Sequence, residues 1–251
     1  MIDLHSHLLP AVDDGARTVD QAVGTLRAMA RHGLSDVCLT PHLTASQAEH
    51  GIPERHDTAF AALMAAAPKS PHLHRGAEVM LDRPLSAAAA ANPGLRLGGT
   101  RYILVEFPRL VAGATVSNAL AHVLSLGLVP VLAHPERYTC CSVAAVHRWR
   151  STGVLMQVDA TTLLSPQGRG QRARQLVCAG LADILAADNH GDDRMLLIGR
   201  RVLEDSGGAV QADLLTSRNP SAILADQTTQ LVEPIELKTS LLDRLRRLLN
   251  A

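Results

Sequence analysis

Two histidines one residue apart supply the chain's first recognisable chemistry. In Ile2-Asp3-Leu4-His5-Ser6-His7, apolar Ile2 and Leu4 alternate with Asp3 and His5, the pattern of a short buried strand. Side chains two apart on a strand share a face, so His5 and His7 point into one space. Imidazoles held that way suit a divalent cation, and Asp13 or Asp14, on the loop that follows, offers an oxygen ligand. Comparable residues recur after later apolar runs: His42, Glu78, Glu106, His134, Asp188 and His190. A single strand-end histidine is an ordinary hydrogen-bonded residue; repetition makes the series a candidate metal-lined mouth. Nitrogen and carboxylate donors without cysteine favour Mn, Zn or Fe over a structural thiolate site.

These residues need strands to carry them and helices to return the chain. Val19, Ala22, Val23, Leu26, Met29 and Ala30 follow helical spacing up to Gly33. Val37 to Thr40 reads as a strand ending at Pro41-His42, residues 43–55 as a loop, and 54–67 as an Ala-rich helix. Across 72–79, alternation puts His72, His74, Gly76 and Glu78 on one face. The start of that strand lies at the opposite end of the sheet from Glu78, so His72 and His74 read as surface residues and Glu78 as the ligand. Tyr102 to Pro108 reads as a buried strand in which Glu106 needs a cation or hydrogen-bond partner. Further strands are expected over Val129–Ala133, Val154–Val158 (with Asp159 at its end) and Ile184–Ala187, with helices over 115–126 and 142–150, His122 lying on the surface. Gly168-Arg169-Gly170 lacks the preceding strand and the Gly-Lys-Ser of a phosphate loop. It reads as a turn before a helix over 171–179, with Arg169, Arg172 and Arg174 solvated. Seven βα-like units favour a parallel barrel, whose chemistry sits at the C-terminal strand ends.

The 251 residues are read as one domain, 1–251, with an amphipathic tail at about 237–249 expected to pack on it as a terminal helix. Apolar residues make up 47% of the chain and aromatics only 2%, so aliphatic side chains must fill the core. Lys plus Arg and Asp plus Glu balance at 24 each, so no global field draws the chain to nucleic acid. Cys38, Cys140, Cys141 and Cys178 lack a CxxC pattern, which fits a reducing compartment. No apolar stretch is long enough to span a bilayer, and a cytoplasmic protein is expected.

Taken together, Asp3-Leu4-His5-Ser6-His7-Leu8-Leu9-Pro10, Asp13-Asp14-Gly15, Thr40-Pro41-His42, Gly76-Ala77-Glu78, Glu106, His134-Pro135-Glu136-Arg137 and Asp188-Asn189-His190 with Arg194 resemble the polymerase-and-histidinol-phosphatase (PHP) superfamily. Within it they are most similar to the bacterial manganese-dependent protein tyrosine phosphatases of capsule and exopolysaccharide systems. That resemblance implies a distorted (β/α)7 TIM-like barrel holding three divalent metal ions, Mn first and Fe or Zn as alternatives. It implies His5, His7 and Asp188 at the first metal, Asp14, His42 and His190 at the second, and Glu106 and His134 at the third. Glu78 would bridge the first and third, and Asp13 would either support the ligands from outside or be a ligand itself. Its implied partner is a phosphotyrosine-bearing protein, the tail of a membrane-bound bacterial tyrosine kinase, met at the inner face of the membrane. Where the family has Ser-Asp-Ala-His-Asn, this chain has Ala187-Asp188-Asn189-His190-Gly191, which keeps both ligand types and alters the approach to the phosphate.

Phosphomonoester hydrolysis needs an activated water and charge compensation, and the implied mechanism is attack by a metal-bridging hydroxide. Arg137 and Arg194 are the catalytic arginines expected to hold phosphate oxygens, because guanidinium forks match them. The cysteine–arginine spacing of the cysteine-dependent phosphatases is missing: Arg148 follows Cys141 one residue too late. The same metals would serve a histidinol-phosphate or other small-molecule phosphatase, where pocket shape decides. An amidohydrolase with a bridging lysine is disfavoured, since Lys69 and Lys238 stand at no strand end. A non-catalytic scaffold is the remaining class, disfavoured by retention of every ligand type.

Overall fold

Parallel pairing runs through every strand of the computed structural model, which describes residues 1–238. The strands are β1 (Ile2–Ser6), β2 (Asp36–Leu39), β3 (His42–Thr44), β4 (His72–Arg75), β5 (Glu78–Met80), β6 (Tyr102–Glu106), β7 (Val129–Ala133), β8 (Leu155–Asp159) and β9 (Ile184–Ala186). They form two ladders, β1-β2-β4 and β3-β5-β6-β7-β8-β9. The division is only local. Asp36 pairs with His72 in the first ladder and His42 with Glu78 in the second, so one offset of 36 residues runs through both. Thus β2 and β3 are one strand interrupted at Thr40-Pro41, where proline has no N–H to give the ladder. Likewise β4 and β5 are one strand broken at Gly76-Ala77. The His7 amide donates to Asn189 O at 2.7 Å and closes β1 onto the β9 end. Seven strands in effect, each followed by helical chain, make a distorted (β/α)7 barrel.

Helices form where the spacing predicts them. Residues Val19–Arg31 are helical, started by the Thr18 hydroxyl accepting from the Gln21 amide at 3.1 Å. Gly33 ends the segment with φ of 82°, a conformation costly for residues with a Cβ. Ala22, Val23, Leu26 and Met29 face the barrel, each apolar side chain of Leu size contributing about 1.5–3 kcal/mol by leaving water. Helices at Glu54–Ala66, Gly113–Ser125, Val143–Ser151 and Gly168–Cys178 complete most of the outer layer.

Several local expectations are corrected. The segment 43–55 is not all loop: it contains the end of β3 and a helical turn, Ala45–Ala48, held by a capping box between Thr44 and Gln47. Gly168-Arg169-Gly170 is the first turn of its helix rather than a preceding turn. Arg172 and Arg174 are not simply solvated, since they donate to the carbonyls of Glu136, Leu163 and Ser165. His122 is half-buried and bonded to Leu85 O at 2.8 Å. The expected tail helix at 237–249 lies essentially outside the described residues.

The barrel interior also departs from simple alternation. Ile2 and Leu4 join Leu104, Val131, Ala133 and Ile184 in one buried cluster, on the same side as Gln157, which pairs with Ala133 and Ile184. The β1–β2 register shifts between Asp3 and Ser6. That bulge lets Leu4 fill the interior while His5 and His7, immediately after it, enter the mouth above.

Candidate metal centre

All the strand-end residues singled out in the sequence meet at the C-terminal mouth of the barrel. His5, His7 and Asp188 form one group with ligand atoms close enough to share a cation, and His7, Asp14, His42 and His190 form another. Glu78 stands between them. Its Oε2 lies 3.2 Å from His5 Nε2, 3.3 Å from His7 Nε2 and 3.0 Å from His42 Nδ1, and its Oε1 lies 2.8 Å from His134 Nε2. Glu106 lies 3.2 Å from His42 Nδ1 and 4.0 Å from His134 Nε2, so it neighbours His42, expected at a different metal, more closely than the partner expected for it. His5, His7 and Glu78 are fully buried, while the Asp14 side chain is 71% and His42 39% exposed. The centre therefore has a dry floor and an open rim.

Local backbone geometry aims these groups. His134 (φ 33°), directly after β7, and Asp188 (φ 49°), two residues past the end of β9, both adopt left-handed backbone. Non-glycine residues pay strain there, and such positions cluster at functional sites. Asn189 holds the following loop, accepting from the Gly191 amide at 2.7 Å and donating to the carbonyls of Asp192 and Arg194. Gly191 has φ of 77°, and a Cβ there would meet Gln21 Nε2 at 2.8 Å. The asparagine usual in the family at that position would therefore crowd the Gln21 contact.

The donor set fits divalent cations. Gln157 Oε1 accepts from the His134 amide at 3.2 Å, which identifies it as oxygen, and so His5 Nδ1, at 3.0 Å, must be the donor to it. His7 Nδ1 is matched by Asp13 Oδ2 at 2.8 Å. In the neutral imidazoles, the form that binds a cation, both Nε2 atoms are then left as lone-pair donors, and they face each other at 3.1 Å. Glu78 Oε2, buried among three imidazoles, makes no hydrogen bond of good geometry. Lone pairs converging on one another repel unless a positive charge lies between them. His190 repeats the design, with Nδ1 on Asp188 O at 2.9 Å and Nε2 3.3 Å from Asp14.

The electrostatics are those of closely packed opposite charges. Burial disfavours charge on every group, yet Asp13, Asp188 and Glu78 hold the His7 pKa well above its ordinary value. Against burial, Glu106 and Glu78 push His42 up to about 10. His5, His134 and His42 overcome burial to hold Glu78 far below the usual carboxylate range. Asp13, despite burial, is lowered to about 2 by His7 and by the His42 and Gly15 amides. A divalent cation would displace the protons on these imidazoles, so metal binding and proton release are linked.

Both expected arginines reach the centre, through Asp188. Arg137 Nη2 donates to Asp188 Oδ2 and, at 3.0 Å, to Asp159 Oδ2. Arg194 is gripped by Asp192 and lies 3.7 Å from Asp188 Oδ2. Arg137 thus orients a ligand as well as presenting a guanidinium. The sequence reading missed Gln157 as a partner of His5 and Asp159 as a partner of Arg137. A polar residue inside the apolar run Leu155-Met156-Gln157-Val158 was the available signal for the first. Cys141 is buried and its thiol is pushed up to about 12, so it is no thiolate nucleophile. All four cysteines are unpaired.

Comparison with known proteins places this centre in a family. Residues 1–225 match the family described as capsular polysaccharide synthesis, CpsB/CapC. The tyrosine-protein phosphatase YwqE of Bacillus subtilis is 28% identical over 201 residues, covering 76% of this chain and 77% of that protein. The tyrosine-protein phosphatase CpsB of Streptococcus pneumoniae is 25% identical over 241 residues, covering 90% and 99%. A crystal structure from a study of YwqE and CpsB as metal-dependent tyrosine phosphatases superposes with a TM-score of 0.79 at 26% identity, over 95% of this chain and 100% of that one. A D-hydantoinase structure shares the fold alone, with a TM-score of 0.51 at 12% identity, over 93% of this chain and 73% of the other. With residues 1–225 of its 251 matching that family, the chain belongs to the CpsB/CapC family of capsular polysaccharide synthesis.

Proposed function

We propose that this protein is a metal-dependent protein tyrosine phosphatase acting in the control of capsule or exopolysaccharide synthesis, with residues 1–251 as one catalytic unit. The observation that carries the reading is the pair of buried Nε2 atoms facing each other at 3.1 Å beside the unbonded oxygen of Glu78. Divalent cations, three in number and Mn in the cell, with Fe or Zn able to replace it, supply an activated water and compensate phosphoryl charge when bound. His5, His7 and Asp188 would hold the first, Asp14, His42 and His190 the second, and Glu106 and His134 the third, with Glu78 able to serve both the first and the third. Gln157 and Asp13 keep His5 and His7 in the ligating tautomer. Arg137 fixes Asp188 and, with Arg194 beside the same carboxylate, would meet the phosphate oxygens.

Phenolate is a comparatively good leaving group, its conjugate acid having a pKa of about 10, so a strong general acid is not required. The exposed rim at Asp14 and His42 suits a tyrosine carried on an extended chain better than an enclosed pocket would. Among the described residues no helix is long and apolar enough to cross a membrane. The substrate we favour is the phosphorylated tail of a bacterial tyrosine kinase, met in the cytoplasm at the inner membrane face.

The test is steady-state hydrolysis by protein stripped of metal and reconstituted separately with Mn, Zn, Fe and Mg. Substrates are a phosphotyrosine peptide, a phosphoserine peptide and histidinol phosphate, with His42→Ala and Arg137→Ala beside wild type. Mn-dependent turnover selective for the phosphotyrosine peptide, suppressed in both variants, is expected. Preference for histidinol phosphate would move the function to small-molecule metabolism. No turnover at verified metal occupancy would sink the phosphatase reading.

A further inference from the structure

Beside the metal centre lies a cavity of about 330 Å³ lined by Arg109, Arg137, Gln167, Gly168, Arg169 and Arg172. Four arginines and no acidic residue line it, in a chain whose formal net charge is zero. Arg109 follows β6, Arg137 follows β7, and the other residues open the Gly168–Cys178 helix after β8, so the cavity occupies the same barrel face as the metal ligands. Arg137 is the shared wall: one edge of its guanidinium holds Asp188 and Asp159 while the side chain lines the cavity. Arg172 is braced by its Nε bond to Glu136 O at 2.8 Å. Among the described residues, Arg109, Arg169 and Arg172 make no ion pair with any carboxylate, unlike Arg137. Two large apolar side chains stand exposed in the same loops, Leu110 (80%) beside Arg109 and Leu164 (63%) shortly before Gln167.

Clustered cations repel one another, and a protein that keeps four of them around one concavity gains most when an anion enters it. Guanidinium forks match carboxylate and phosphate alike. A free anion would have no use for the exposed leucines, whereas a peptide would lay apolar atoms against them. We propose that this cavity is a subsite for a second anionic group, a carboxylate or a second phosphate, on the same peptide that presents its phosphotyrosine to the metals. The proposal rests on the phosphatase reading for the identity of the first group. Because Arg137 belongs to both sites, the second group sits only a few residues from the first, an extended chain advancing roughly 3.5 Å per residue.

The test compares three peptides of equal length: phosphotyrosine with neutral flanks, with glutamates at the flanking positions, and with a second phosphotyrosine. On the Mn-loaded enzyme, the two peptides with a further anionic group should show kcat/KM about tenfold above the one with neutral flanks, carried by KM and reduced at high salt. The Arg109→Ala/Arg169→Ala double variant should bring all three together while leaving the neutral peptide within about twofold of wild type. Whether glutamate or phosphate gains more identifies which anion the site is built for. Binding of the same three sequences with a non-hydrolysable phosphonate, read by fluorescence anisotropy, gives a second readout independent of turnover. Equal affinities on wild type, or an equal loss for neutral and acidic sequences in the double variant, would overturn the subsite. Arginine-dependent preference in binding without hydrolysis of any peptide would retain the subsite and defeat the phosphatase reading instead.

Discussion

Replacing Gln157 by methionine tests whether a buried side chain that touches no substrate sets the metal affinity. The change keeps length and approximate volume but removes the amide oxygen. That oxygen accepts from His5 Nδ1 at 3.0 Å and from the His134 amide at 3.2 Å, and Gln157 is wholly buried. Its own Nε2 has no partner, so losing the amide nitrogen removes no bond. Two buried donors are stranded at about 1–3 kcal/mol each, and burial of one unpaired amide nitrogen is relieved by a similar amount. The net loss of stability is then about 1–3 kcal/mol. The larger effect is on His5, whose imidazole loses the bond that fixes both its tautomer and its ring plane. Outer partners of this kind are worth about 10–100-fold in metal affinity. Calorimetric titration of chelator-treated protein with Mn, alongside urea denaturation, separates the two effects. A folded Gln157→Met variant that binds metal as tightly as wild type would refute the argument.

Three further outcomes follow from the same geometry. Asp13→Asn leaves one oxygen where two now serve His7, His42 and Gly15, and should weaken Mn binding by about tenfold with the fold retained, read by the same titration. Unchanged affinity would place Asp13 outside the centre's support. Gly15→Ala puts a Cβ 1.9 Å from His7 O, so the backbone must move; a loss of about 1–3 kcal/mol or more and reduced bound metal by elemental analysis are expected, and an unaltered melting temperature would count against it. Burial and the neighbouring Asp159 push Glu136 from 4.5 up to about 8, so the folded state holds a proton that the unfolded chain releases. Stability therefore falls as pH rises from about 4.5 to about 8, and Asp3, raised by burial to about 7, adds the same sign. Glu136→Gln should lose less stability than wild type between pH 5 and pH 8 in urea denaturation; equal losses would show that Glu136 is not the titrating group.

The sequence by itself determined the repeating strand–helix order, the carboxy-terminal position of the chemistry on each strand, and the identity of the donors. Those follow from local regularities: period-two alternation, helical spacing at Val19–Ala30, and a polar residue wherever an apolar run ends. It did not determine that Ile2 and Leu4 face the interior beneath His5, because a bulge depends on the partner strand and not on the strand's own alternation. Nor did it show that β2 and β3 are one interrupted strand, which rests on the shared register with β4 and β5. Residues far apart in the chain meet only in three dimensions: Gln157 with His5, Arg137 with Asp188, and Arg109 with Arg169 around one cavity. Local composition names the groups that can bind a cation. Tautomer, charge compensation and the division between dry floor and open rim depend on long-range contacts, and only the closed barrel decided them.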